Sequence, residues 1–374
     1  MLKIFPSFME YLIHPGAVTF GECEEEKLPI SLDDLLGKFT NLEVLDISNY
    51  HFHNEEFIPF IEELPKLSKL KSLTLSNINL THFHLLFLAR ILEKLPLVYL
   101  NISNNPVTNI GVLYLSRGIL KCNHLKYLSI ANIRTKRSGI LPVADRYLTE
   151  TEREYLSNHS RGFDSLFKNI AVSKNLNLQM LDFRYNFIDM QTISVPSWQY
   201  FCKSTQLKYL LASQNFNVSP QFPKKLAFLD LSACYLNNRF LRSLCNYLST
   251  ESGGYQNLKV INLAENHISD PLIVAQLILS GRLTCIDFTA NFAFNRAVLE
   301  ALMTNTTLQK LCISRNNTTS YITDLLRACS NRCRTIGKPF TIDLSLSNMP
   351  DKIVGTLNRM DVHELLTFKF TGIW

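Results

Sequence analysis

Charge is scarce in this sequence of 374 residues: Asp, Glu, Lys and Arg together make up 19%, against 46% apolar residues. That balance excludes a disordered chain and predicts a large buried core. No block of basic residues is present, and the net charge of +6 is scattered, which points away from nucleic acid as a partner. Uncharged apolar runs, such as LIVAQLIL at Leu272 to Leu279, are far too short to cross a bilayer, so no membrane insertion is expected. The N-terminal MLKIFPSFMEYLIHPG lacks a signal-peptide core because Pro6, Glu10 and His14 interrupt it, and a cytoplasmic protein is expected. The sequence also has no Gly-rich phosphate loop, no His-Glu-x-x-His and no nucleophile elbow. The expectation is therefore a protein that is not an enzyme, with no cofactor and no bound metal.

What the sequence does have is a repeat, complete in LVYLNISNNPVTNIGVLYLSRGILKCNHL from Leu97 to Leu125. Leu97, Leu100 and Ile102 hold positions 1, 4 and 6, Asn105 holds position 9 and Val107 position 11. Leu100 and Ile102 are two apart and share one side of a strand, whereas Leu115 and Ile119 are four apart and share one face of a helix. A strand with a returning helix cannot bury its apolar side alone, so stacked copies must complete the core. Position 1 falls at residues 15, 42, 70, 97, 125, 178, 207, 226, 258, 283, 308, 341 and 365. Thirteen parallel strands at about 4.8 Å would give a concave face of roughly 55 to 60 Å.

These residues resemble the ribonuclease-inhibitor-like leucine-rich-repeat family over nearly the whole chain. The resemblance implies an α/β solenoid, with a parallel sheet on the concave side and helices on the convex side. We expect a single domain over 1–374: an N-terminal cap at 1–41, repeats at 42–340 and a C-terminal cap at 341–374. The first strand is expected at Val18 to Phe20, and the last two at Thr341 to Leu346 and Leu365 to Phe370. Two departures interrupt the period. The 53 residues between Leu125 and Leu178 leave an insertion near 134–162, with Thr149 and Glu152 forming a capping-box pattern; a degenerate extra repeat is the alternative. The unit at 207–225 is too short for a helix and carries two prolines in NVSPQFPKK.

Several side chains invite chemical readings. Nine cysteines is an odd number, and Cys122, Cys234, Cys285 and Cys312 fall where a repeat takes an apolar or small residue, as buried thiols in a reducing compartment would. Cys285-Ile286-Asp287 matches the Cys-x-Asp of some bacterial leucine-rich-repeat ubiquitin ligases, yet Ile286 and Phe288 are ordinary core positions of a repeat. Cys329 and Cys333 are four apart on an expected helix, but no second pair of ligands lies near them in sequence. The pairs His51 with His53 and His82 with His84 occupy different repeat positions, so they would not stack into one site.

The strand residues expected to face solvent carry the functional expectation. Position 3 brings together large side chains, Tyr99, Tyr127, Tyr209 and Phe228 among them, and exposed aromatic patches mark binding. Packing of neighbouring rings against each other is the alternative. Position 5 adds Asp182 and Asp230, and Arg184 lies beside them. We therefore expect partner binding through Tyr99, Tyr127, Tyr209 and Phe228, with Asp182, Arg184 and Asp230 as the polar surround. The Asn-, Lys- and Ile-rich composition and irregular caps are similar to leucine-rich-repeat effectors that intracellular bacteria of the Legionella type deliver into host cells. That likeness implies a host protein as partner and delivery to the host cytosol without a classical signal peptide. The other expectation is a regulator of a small GTPase, since one activator family shares this architecture, with rim arginines such as Arg134 and Arg184.

Overall fold

The computed structural model describes residues 17–19, 41–50, 52, 56–133, 161–173, 176–249, 255–291, 295–316, 321–345 and 364–369. The chain divides into two compact units, 1–207 and 208–374. In the first, the strands are β1 (Ala17–Thr19), β2 (Val44–Asp46), β3 (Ser72–Thr74), β4 (Tyr99–Asn101), β5 (Tyr127–Ser129) and β6 (Met180–Asp182). Its helices are α1 (Phe57–Glu63), α2 (His82–Ile91), α3 (Asn109–Ile119), α4 (Arg161–Val172) and α5 (Val195–Ser204). In the second, the strands are β7 (Tyr209–Leu211), β8 (Phe228–Asp230), β9 (Val260–Asn262), β10 (Cys285–Asp287), β11 (Lys310–Cys312), β12 (Phe340–Asp343) and β13 (Leu366–Lys369). Its helices are α6 (Asn238–Ser249), α7 (Pro271–Leu279), α8 (Arg296–Thr304) and α9 (Ile322–Ile336). Within each unit every strand pairs parallel with the next in chain order. This is an α/β leucine-rich-repeat solenoid.

Register follows the repeat. Leu45, Leu73, Leu100 and Leu128, all at position 4, stand side by side, as do Leu229, Ile261 and Ile286. Positions 4 and 6 are shut away from solvent, since alternate strand residues point to the same face. Strands end because the residue at position 8 turns left-handed in every described repeat: Asn49, Asn77, Asn104, Asn132, Tyr185, Gln214, Ala233, Glu265, Ala290 and Arg315 all have φ between 52° and 65°. Asparagine tolerates this region best among residues with a side chain, and four of the five in the first unit are asparagine.

The asparagine at position 9 ties neighbouring repeats together. Asn266 Nδ2 donates to the carbonyls of Leu231, Leu263 and Ala264, and its Oδ1 accepts from the amides of Cys234 and Leu236. Asn105 does the same for Leu75, Ile102, Ser103, Ile78 and Leu80. These groups are buried and would otherwise have neither water nor a partner. At the equivalent position Cys234 lies 3.3 Å from the carbonyl oxygen of Ala212 and donates its S–H there, a weaker substitute for the amide.

Helices cover the sheet from one side. Their starts are capped by side chains: Asp270 accepts from the Leu272 amide at α7, Asn295 from Ala297 at α8, and Ser194 from Ser197 at α5. Gly118 lets α3 approach α2, because a Cβ there would lie 2.8 Å from the Ala89 backbone. At α2 the cap is Thr81, whose amide donates to His84 Nδ1 at 3.1 Å. Burial, and then the neighbouring His82, hold the His84 pKa below its ordinary value of 6.5. A base whose pKa falls on folding adds stability that is complete above its unfolded value and is lost as the pH drops toward the folded one. Lowering the pH from about 7.5 to about 5.5 should therefore destabilise the wild type more than His84→Gln, which keeps an acceptor at the cap. Urea midpoints at the two pH values check this, and equal pH sensitivity of the two proteins would remove His84 as the cause.

The irregular segments were partly legible. The unit after Leu207 has no helix between β7 and β8, in keeping with its prolines. Helix α4 begins at Arg161, inside the expected insertion, and buries Leu166 and Ile170. Residues 134–160, with the Thr149 and Glu152 pattern, lie outside the described residues. The penultimate strand needs a correction. Leu311 pairs with Ile342, which places position 1 at Pro339, two residues before Thr341. A shift of two keeps every side chain on its face, so alternation alone could not resolve it. Beneath that strand Arg332 is 2% exposed, with its guanidinium 4.5 Å from the centre of the Phe340 ring. It donates to the carbonyls of Asn305 and Leu308, where α8 has just ended. A cation at a helix C-terminus is favourable even without a carboxylate.

Candidate functional site

The strand face expected to be open is largely closed around the expected anchors. In the first unit Tyr99 pairs in register with Tyr127, and Tyr127 with Met180. Tyr99 is 4% and Tyr127 7% exposed. In the second unit Phe228, at 3%, stands between Tyr209 and Val260, and Tyr209 is half-buried. The physical reason is the spacing of parallel strands: rings on rungs about 4.8 Å apart cover one another's faces. Burial and the carboxylate of Asp182 push the Tyr99 phenol above its ordinary range. Of the four rings, only Tyr209 offers substantial open surface.

The polar surround is likewise engaged within the protein. Arg184 grips Asp182 with two parallel bonds, Nε to Oδ1 and Nη2 to Oδ2, both 2.9 Å. Ser129 Oγ also reaches Asp182, and Asp182 is buried. A bidentate pair of this kind fixes both side chains and takes Arg184 out of the role of a free rim arginine. Arg134 lies outside the described residues. Asp230, buried in the second unit, accepts from the backbone amide and the hydroxyl of Ser232. The same local bond recurs from Asp46 to Ser48, Asn101 to Ser103, Asn262 to Ala264, Asp287 to Thr289 and Asp343 to Ser345. Position 5 thus closes the strand end by accepting the amide two residues on. The sequence signal was present in the recurrence of Asp or Asn at this position in seven of the thirteen repeats.

Cys285 is half-exposed on the sheet face, but burial and Asp287 push its thiol up, with Lys310 opposing them. Cys312 is pushed up to about 12, chiefly by burial. Neither is poised as a thiolate nucleophile. Cys329 and Cys333 are buried free thiols, and among the described residues no group of three or more His, Cys, Asp and Glu side chains could hold a metal ion. His84 belongs to the cap of α2, and His51 and His53 lie outside the described residues.

Open aromatic surface lies instead at the turns that follow β6, β8 and β9. In the first unit Tyr185 and Phe187, at positions 8 and 10, are exposed, Phe187 by 53%, and the Arg184 guanidinium stands 6.0 Å from the Tyr185 ring centre. In the second unit position 10 holds Phe216, Tyr235 and His267. Tyr235 is 64% exposed, with ring centres 5.3 Å from Phe216 and 5.6 Å from His267. Phe292 continues this column in sequence but lies outside the described residues. Tyr185, Phe187 and Tyr235 hold φ of 59°, 53° and 57°, a conformation that disfavours bulky side chains. Reading position 10 down the repeats, rather than positions 3 and 5 alone, would have found this column.

No family model matches the chain, and no curated protein matches it. Among solved structures, an internalin (inlF) from Listeria monocytogenes is 16% identical over 92% of this chain and 94% of its own, at a TM-score of 0.46. Internalin C2 (inlC2) from the same organism is 19% identical over 56% and 74%, at 0.34. The TLR13–ssRNA13 complex is 17% identical over 76% of this chain and 42% of that one, at 0.39. At such TM-scores these likenesses carry no argument about what the chain binds.

Proposed function

We propose that this chain is a protein-recognition module without catalytic activity, and that its contact residues include the exposed turn aromatics. Tyr235, with Phe216 and His267 on either side, forms the centre of the surface in the second unit. The carrying observation is that large rings stand open to water in a strained backbone conformation, where neither the core nor the turn benefits from them. Rigid aromatic side chains lose little entropy on binding and concentrate interface energy. From the strand face we retain Tyr209 as a contact, with Phe228 beside it on the neighbouring strand, while Tyr99, Tyr127, Asp182, Arg184 and Asp230 support the strand face within their own units. The same repeat runs through both units, so we treat residues 1–374 as one array of the ribonuclease-inhibitor-like kind, with a helix in most repeats. A host protein as partner and the cytosol as compartment belong to the same proposal. The free, mostly buried thiols support a reducing compartment.

Tyr235→Asn tests this reading. Asparagine suits the left-handed backbone, so stability should be unchanged or up to about 1 kcal/mol higher. Binding should fall by about tenfold or more, the scale of an aromatic anchor. The partner can be found by placing a photo-crosslinking amino acid at Tyr235 and exposing the protein to eukaryotic lysate, with the same group at Lys94 as control. Wild-type affinity of Tyr235→Asn for the crosslinked protein would remove this column from the site.

A further inference from the structure

The net charge of +6 falls entirely in the second unit, residues 208–374, and much of it lies along one edge of the sheet. Lys208 and Lys259 hold position 2, where the chain enters β7 and β9, and Lys224 and Lys225 lie in the turn before β8. All four are exposed. Backbone bonds fix the row. The Ala227 amide donates to the Lys208 carbonyl at 2.8 Å, the Lys259 amide to Ala227 at 3.0 Å, and the Thr284 amide to Lys259 at 2.8 Å. Arg282 precedes β10 on the same edge, and Lys259 Nζ donates to its carbonyl at 3.5 Å. The ion pairs found in this unit, Arg242 with Asp270, Arg296 with Glu300 and Arg327 with Asp324, involve none of these five cations. Among the described residues the acidic side chain on this edge is Glu364, before β13. Arg282 Nη1 is buried and has no hydrogen-bond partner, which leaves a cationic donor without an acceptor.

We propose that this edge binds an acidic, extended segment of a protein partner, an inference that rests on the protein-recognition reading above and names the chemistry of what is recognised. The cations cover β7 to β10, about 14 Å at parallel-strand spacing, which matches about five extended residues with Asp or Glu at alternate positions. Nucleic acid fits less well. Single strands need ring faces on which bases stack, and among the described residues the exposed rings of this unit, Tyr235 and His267, follow the opposite ends of the strands.

The test uses the full chain and a fluorescent peptide of alternating Glu and Ser, read by anisotropy. Changing Lys208, Lys224, Lys225 and Lys259 together to Gln should weaken binding by about tenfold or more, since such contacts act through charge. Raising salt from about 50 to about 300 mM should weaken the wild type comparably. Circular dichroism should be unchanged because all four side chains are exposed. Tyr235→Asn should bind the acidic peptide like the wild type, so a failure of the turn-aromatic reading shows separately from a failure here. Equal peptide binding by the wild type and the quadruple Gln variant would overturn the proposal. So would tighter binding of oligo-dT, or of vesicles of phosphatidylcholine with phosphatidylserine, than of the peptide.

Discussion

Asn266→Ala should destabilise the protein by about 3 to 5 kcal/mol, more than any surface substitution proposed above. The side chain is 2% exposed and joins two repeats through five bonds. Alanine leaves the amides of Cys234 and Leu236 and the carbonyl of Leu231 without partners, where little water can reach. Each such group costs about 1 to 3 kcal/mol, and partial relaxation of the turn keeps the sum below the simple total. Asn266→Asp should recover little, because a carboxylate keeps the acceptor but places charge against three carbonyls. Asn49→Ala is the matched control. Asn49 is an exposed asparagine at position 8, with one bond to Asn77, and its loss should cost about 1 kcal/mol or less. Urea unfolding of the three variants checks the series, and a cost below about 1 kcal/mol for Asn266→Ala would mean that water replaces the ladder.

The fold was readable in the sequence because the signals that set it repeat: apolar residues at positions 1, 4 and 6, mostly leucine, and asparagine at 9 in about half of the copies, do the same physical work wherever they recur. It failed at the end of the array, where Pro339 replaces leucine at position 1 and a shift of two residues left the alternation intact. The site was less legible because alternation says which side of a strand a residue takes, and not whether its neighbours are large enough to close over it. Tyr99 and Tyr127 point away from the core and are nevertheless buried. Asp182 and Asp230 read as a charged surface in sequence, although their carboxylates are occupied by Arg184 and Ser232. Position 10 went unread, although it places Phe187 and Tyr235 in left-handed turns that disfavour bulky side chains. The basic edge was hidden for another reason: Lys208, Lys225, Lys259 and Arg282 are far apart in sequence, and only the register of β7 to β10 puts them in one row.

Leu263→Ala should cost about 2 to 5 kcal/mol, and its effect should be confined in space. Leu263 is fully buried at position 6, and its carbonyl accepts from both Asn266 and Asn291. Removing three carbons there leaves a cavity between repeats whose strands are pinned by those asparagines, so collapse into the gap is limited and the upper half of the range is expected. In an array where each repeat contacts only its neighbours, the loss should be felt most in adjacent copies. Amide hydrogen exchange followed by mass spectrometry should show protection falling first across 228–288, while 73–130 keeps wild-type protection. Leu73→Ala, at an equally buried site in the first unit, should give the reverse pattern. Both variants losing protection evenly along the whole chain would show one cooperative block, and nearest-neighbour stacking would then be the wrong description of how these repeats hold together.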